Sequence, residues 1–177
     1  MFRALALLIA GFAAGLLLPT DARAQMISLS PQAGPALGTT IRGSTATTFS
    51  ISTSGVVSRT SGDAIRLSNG MVSAPTVSFN CGLLNLAELC LLRPVRVTIS
   101  PASAGGTATI SRLSISNLSG TTYRSGSAPA EAAVLVFDLN PLLLSTVSFR
   151  LGMDVVLEAG AQTGHATYAY TVTVSFI

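Results

Sequence analysis

Charge is what this sequence has least of. Asp, Glu, Lys and Arg together make up 10% of its 177 residues, and all ten basic residues are arginines. Downstream of the first 24 residues these stand singly, at Arg42, Arg59, Arg66, Arg93, Arg96, Arg112, Arg124 and Arg150. No basic stripe forms and no aromatic residues interleave with one, so nucleic acid is excluded as a partner. Tryptophan is absent and aromatics total 6%, which leaves little for an aromatic binding platform or a membrane girdle. One histidine, His165, and two cysteines, Cys81 and Cys90, are too few ligands for a metal centre.

Catalytic patterns are missing as well. The acids beyond the leader are Asp63, Glu88, Glu131, Asp138, Asp154 and Glu158, and no two of them fall in a motif of known mechanism. His165 could serve a Ser–His–acid triad on count alone, but no serine lies in a nucleophile-elbow pattern. The glycines are dispersed and build no phosphate-cradling loop. The sequence therefore predicts a non-enzyme with no cofactor and no metal.

The one long apolar run is at the front. Arg3 precedes Ala4 to Leu18, and Pro19-Thr20-Asp21 then leads to Ala22-Arg23-Ala24. A basic start, an apolar stretch and a small-residue site are the order of a secretory leader. The stretch falls short of the roughly 20 residues that span a bilayer. Cleavage is expected after Ala24, with Ala22 and Ala24 as the recognised small residues and Gln25 as the new terminus. Residues 1–24 are thus read as the signal peptide and 25–177 as one exported domain, with no transmembrane anchor, destined for the periplasm, cell surface or medium. In that compartment two cysteines with eight residues between them point to a Cys81–Cys90 disulfide stapling the segment that joins them. A short helix fits nowhere but Cys81 to Leu92.

What the chain has instead is strict alternation. Tyr168, Tyr170, Val172, Val174 and Phe176 alternate with Thr, Ala and Ser from Thr167 to Ile177, the period of a strand with one buried and one wet face. The same period runs through Phe49 and Ile51, Ile65 and Leu67, and Val77, Phe79 and Cys81. It recurs in Val95, Val97 and Ile99, in Leu135, Phe137 and Leu139, and at odd positions from Val147 to Leu157, with Gly152 as a bend point. Ile110 is out of step with Leu113 and Ile115, which predicts a bulge near Ser111 and Arg112. Turn chemistry separates the runs, at Ser61-Gly62-Asp63, Ser68-Asn69-Gly70, Ala104-Gly105-Gly106, Ser119-Gly120, Ser125-Gly126 and from Ala159-Gly160 to Gly164. Seven to nine short strands so punctuated predict a single all-β, Ig-like antiparallel sandwich.

The C-terminal residues Phe149-Arg150-Leu151-Gly152, Leu157-Glu158-Ala159-Gly160, Gly164, Tyr168 and Tyr170-Thr171-Val172-Thr173-Val174 resemble the end of the secreted bacterial domain-of-unknown-function 4402 family. This chain departs from the pattern where Met153 follows Gly152 and where Leu37-Gly38 stands for a longer N-terminal motif. The resemblance implies a pilin-like role, similar in style to spore-coat-U and chaperone–usher subunits. Such a protein is a fimbrial or adhesive surface subunit whose partners are other copies or related subunits, with a periplasmic chaperone on the way. Assembly would proceed by strand addition, in which a neighbour's extended segment pairs with an open sheet edge. Residues 25–40 are the expected extension, Ile27 and Leu29 being the alternating anchors of the donor before Pro31 ends it. Two other readings stand beside this one. A monomeric secreted or periplasmic glycan-binding module would use Tyr123 as its loop aromatic. A small outer-membrane barrel would need about eight strands of ~9–11 residues, and several runs are shorter.

Overall fold

The computed structural model describes residues 27–30, 36–68, 70–80, 93–102, 108–142, 146–160 and 163–177. The leader expected over residues 1–24, with its expected cleavage residues Ala22, Ala24 and Gln25, lies outside these residues. So do Cys81 and Cys90, with the disulfide and short helix expected there. Among the described residues the chain is all β. Its strands are β1 (Ile27–Ser30), β2 (Ala36–Ile41), β3 (Thr47–Ile51), β4 (Val57–Ser61), β5 (Ile65–Arg66), β6 (Thr76–Asn80), β7 (Val95–Ala102), β8 (Thr109–Ser119), β9 (Thr121–Tyr123), β10 (Leu135–Pro141), β11 (Thr146–Leu157), β12 (Thr163–Thr167) and β13 (Ala169–Phe176). The excess over seven to nine comes from short pieces such as β5 and β9, too brief for alternation to register.

The longest alternating run became the axis of the larger sheet. Val147, Phe149, Leu151, Met153, Val155 and Leu157 of β11 are all buried. One edge of β11 pairs with β8; the other takes β6 along Thr146–Arg150 and then β3 along Met153–Leu157. Beyond β6 lies β1 and beyond β3 lies β4, all antiparallel. Gly152 sits where β11 passes from β6 to β3, and the strand runs through it unbroken. It answers a close approach: a Cβ there would lie 2.6 Å from the Ser114 hydroxyl and 3.1 Å from the Ile51 carbonyl oxygen.

The bulge expected near Ser111 and Arg112 is present. Arg112 pairs with Asp154 and Ile110 with Val155, so Ser111 is the extra residue that restores Ile110 to the core face. A second irregularity, between the Ser148–Ser119 and Arg150–Ser116 pairs, coincides with Asn117 at φ 54°. Asparagine is among the few residues other than glycine that accept this left-handed conformation readily.

The second sheet has the order β13-β7-β10-β9. Val95, Val97 and Ile99 of β7 and Leu135, Phe137 and Leu139 of β10 turn inward and are buried. Phe137 meets Phe149 of the first sheet edge-to-face, with ring centroids 5.7 Å apart, so the two sheets pack face to face. Each such side chain contributes about 1.5–3 kcal/mol by leaving water. A small third sheet, β12-β2-β5, adds Leu37, Thr40 and Ala166 to the buried set.

The final alternating stretch is two strands rather than one. Thr167 closes β12, which pairs with β2, and β13 starts at Ala169 against β7. Tyr168 is the hinge between sheets and is itself buried. Its hydroxyl finds no hydrogen-bond partner among the described residues, and burial holds its pKa above the ordinary tyrosine value, with Tyr170 adding to the shift.

Candidate functional site

Edge strands expose a row of unpaired N–H and C=O groups, and sheets commonly guard them with charge, proline, bulges or brevity. Most edges here are guarded. β1, β5 and β9 have four, two and three residues. β4 carries Arg59, and its pairing with β3 is irregular at Thr60. β8 is long but covered. The backbone of Leu113 exchanges two hydrogen bonds with Ala132, at 2.8 and 3.2 Å, so Ala132 bridges its outer side. Arg112 adds an ion pair to Asp154 at 2.6 Å and another to Glu131 at 3.3 Å.

β13 has none of these devices. Its eight residues, Ala169-Tyr170-Thr171-Val172-Thr173-Val174-Ser175-Phe176, contain no charge and no proline, and its ladder with β7 runs without a register shift. The N–H of Ile177 donates to the Pro94 carbonyl at 3.0 Å. Because hydrogen-bonded and non-bonded pairs alternate along an antiparallel ladder, Ser175, Thr173 and Thr171 bond to β7. The N–H and C=O of Tyr170, Val172, Val174 and Phe176 therefore point away from it. Pro101, which has no N–H, stands opposite Tyr170 at a non-bonded position.

The side chains on the edge agree with its backbone. Tyr170, Val172, Val174 and Phe176 face the core but are half-buried, packed against it from outside, whereas Val95, Val97 and Ile99 beside them on β7 are fully buried. Burial pushes the Tyr170 pKa up to about 12. On the outer face, Thr171 and Ser100 share a hydroxyl–hydroxyl bond of 2.9 Å, and Arg96 meets Asp138 with two bonds of 2.8 and 3.1 Å. That pairing raises the Arg96 pKa and lowers that of Asp138. Arg93 lies over the Phe176 ring at 5.9 Å and marks one end of the edge.

The other residues singled out by the sequence fall elsewhere. Ile27 and Leu29 lie in β1, paired with the chain's own β6, Ile27 opposite Phe79 and Leu29 opposite Val77. Tyr123 is not a loop residue: it ends β9 and packs edge-on against Phe137 at 6.1 Å. Burial raises its pKa, and it offers no flat platform. His165 is in β12 opposite Thr39. Among the described residues no three His, Cys, Asp or Glu side chains gather where they could hold a metal ion.

One feature of the surface was not visible in the sequence. Ile65 and Leu67 keep their alternation but face solvent, together with Val56 and Met71. Beside them opens a cleft lined by β4, β5, Ser68, Gly70 and Met71. Alternation tells which residues share a face, not which face is buried.

No family model, curated protein or solved structure matches this chain.

Proposed function

We propose that this protein is an exported, non-enzymatic structural or adhesive surface subunit, of pilus-like type, whose copies or relatives join by strand addition at β13. The carrying observation is the outer edge of β13, which no strand among the described residues pairs: an eight-residue, uncharged, proline-free strand whose core-facing residues are only partly buried. An added strand would satisfy the outward backbone groups of Tyr170, Val172, Val174 and Phe176 and cover their side chains in alternate pockets. Burial of that apolar surface and new main-chain hydrogen bonds supply the affinity.

The donor in this reading is the segment of Ile27 and Leu29. Among the described residues it is the short outermost strand of the larger sheet, bonded to β6, so its release breaks that one strand pair among them. The C-terminal motifs that resemble the domain-of-unknown-function 4402 family point the same way. That support rests on short motifs alone, since no family model matches. The secretory leader and the hydroxyl-rich, charge-poor composition suit an exported assembly.

The test is a gel of sheared surface material from the native host, run in SDS with and without boiling. Wild-type protein should give a ladder of multiples that collapses on boiling, and the double variant Ile27→Asp/Leu29→Asp should give folded monomer only. An unchanged ladder from the double variant would remove this segment as the donor.

A further inference from the structure

The cleft beside β4 and β5 bears on binding rather than assembly, and its reading does not depend on strand addition. Its floor is Phe49 and Ala64, both buried, and its walls are Val57, Val56, Ile65 and Met71. The last three are exposed by 52%, 55% and 72%, an unusual concentration of large apolar side chains in water. The cleft is open to solvent and offers about 730 Å3, within the roughly 300–1,000 Å3 of small-molecule sites.

The walls are held in place by hydrogen bonds. The buried Thr47 hydroxyl accepts the N–H groups of Asp63 and Ala64, at 3.1 and 2.9 Å, and so fixes the corner between β4 and β5. Gly62 turns that corner at φ +79°, a conformation that favours glycine. Arg66 donates from Nε to the Leu37 carbonyl at 2.6 Å and from Nη1 to the Gly70 carbonyl at 2.8 Å. The Val72 N–H donates to the Gly55 carbonyl at 2.9 Å. A cleft built this way needs little reordering to receive a ligand.

Two guanidinium groups, Arg59 and Arg66, line the same cleft. Arg59 gives one hydrogen bond, from Nη1 to the Ala64 carbonyl at 3.0 Å, which leaves most of its N–H donors for something else. Among the described residues neither arginine has a carboxylate partner. Asp63, between them in sequence, is engaged elsewhere. Its carboxylate accepts the hydroxyls of Ser44 and Thr45 at 2.7 and 2.8 Å, and their N–H groups at 2.8 and 3.0 Å. Those bonds hold its pKa well below the usual carboxylate range. The cleft therefore presents two uncompensated cations on a concave apolar surface, and its complement is a molecule with an apolar body and one anionic head. A carboxylate matches the planar guanidinium fork with two parallel bonds.

We infer that this cleft binds a long-chain carboxylate, a free fatty acid, with its head on Arg59 and Arg66 and its chain along Val56, Ile65 and Met71. The experiment is isothermal titration of the folded protein with dodecanoate below its micellar concentration, beside dodecanoate methyl ester, which keeps the chain and loses the charge. The acid should bind at least about tenfold more tightly than the ester. Arg59→Gln, at an exposed residue with one hydrogen bond to lose, should keep its melting temperature and bring the acid down to the affinity of the ester. Met71→Asp should weaken both ligands. Equal affinity for acid and ester, no binding of the acid, or acid binding untouched in Arg59→Gln would each overturn the assignment. So would a Met71→Asp variant that binds the acid normally, because the chain of the ligand would then not lie along Met71.

Discussion

β8 and β13 are both long edge strands, one in each main sheet, and they were left in opposite conditions. β8 carries Arg112, paired with Asp154 and Glu131, and its outer backbone is bridged at Leu113 by Ala132. β13 carries no charge, no proline and no bulge, and its inward side chains are half-covered. Both strands have hydroxyl-rich outer residues, and in composition only the charge of Arg112 separates them. The difference lies in what crosses the edge. A sheet guarded at both places would resist pairing with another chain; among the described residues one edge is guarded and the other is not, and the proposal of strand addition rests on that contrast.

The contrast can be sharpened by deleting side chains on each strand. Leu113 on β8 is fully buried, and Leu113→Ala should cost about 2–5 kcal/mol of folding stability. Val172→Ala on the half-covered β13 should cost less than half as much in the isolated monomer. Equilibrium denaturation of both variants checks the pair, and equal losses would mean that β13 is as fully packed as β8.

A smaller effect is expected from removing a guard. Arg112→Thr leaves Asp154, whose side chain is 12% exposed, without its cation, at a cost of about 1–3 kcal/mol. It also strips the charge from the β8 edge. Light scattering of the purified variant should show association beyond the wild-type level, and that excess should persist when β13 is blocked. A variant that is merely less stable, with no added association, would show that Ala132 guards β8 without help from Arg112.

Much of the architecture could be read from alternation, because a two-residue period needs only one wet and one dry face to become visible. The odd residues of β11, the inward residues of β7 and β10, and the Ser111 bulge all announce themselves this way. What alternation cannot carry is the pairing partner. It read Thr167 to Ile177 as one strand, since the pattern continues unbroken across Tyr168 while the backbone changes sheets there. It also gave no sign that Ile65 and Leu67 face outward, because a chain near a sheet corner can turn its apolar side to solvent without altering its sequence period. The β13 edge was half legible. Its lack of charge is plain in the sequence, but its lack of a second partner strand among the described residues depends on residues distant along the chain.

The most direct measurement of the central claim compares two proline substitutions one residue apart. In Val172→Pro the lost N–H is one that β7 does not use; in Thr173→Pro it is one that β7 does. Val172→Pro should therefore fold with near-wild-type stability and fail to assemble, read as loss of the boiling-sensitive SDS ladder. Thr173→Pro should lose about 2–3 kcal/mol of stability in the monomer itself. A Val172→Pro protein that still forms the full ladder would contradict the account, because an added strand would lose the Val172 N–H and meet the proline ring in the middle of its ladder.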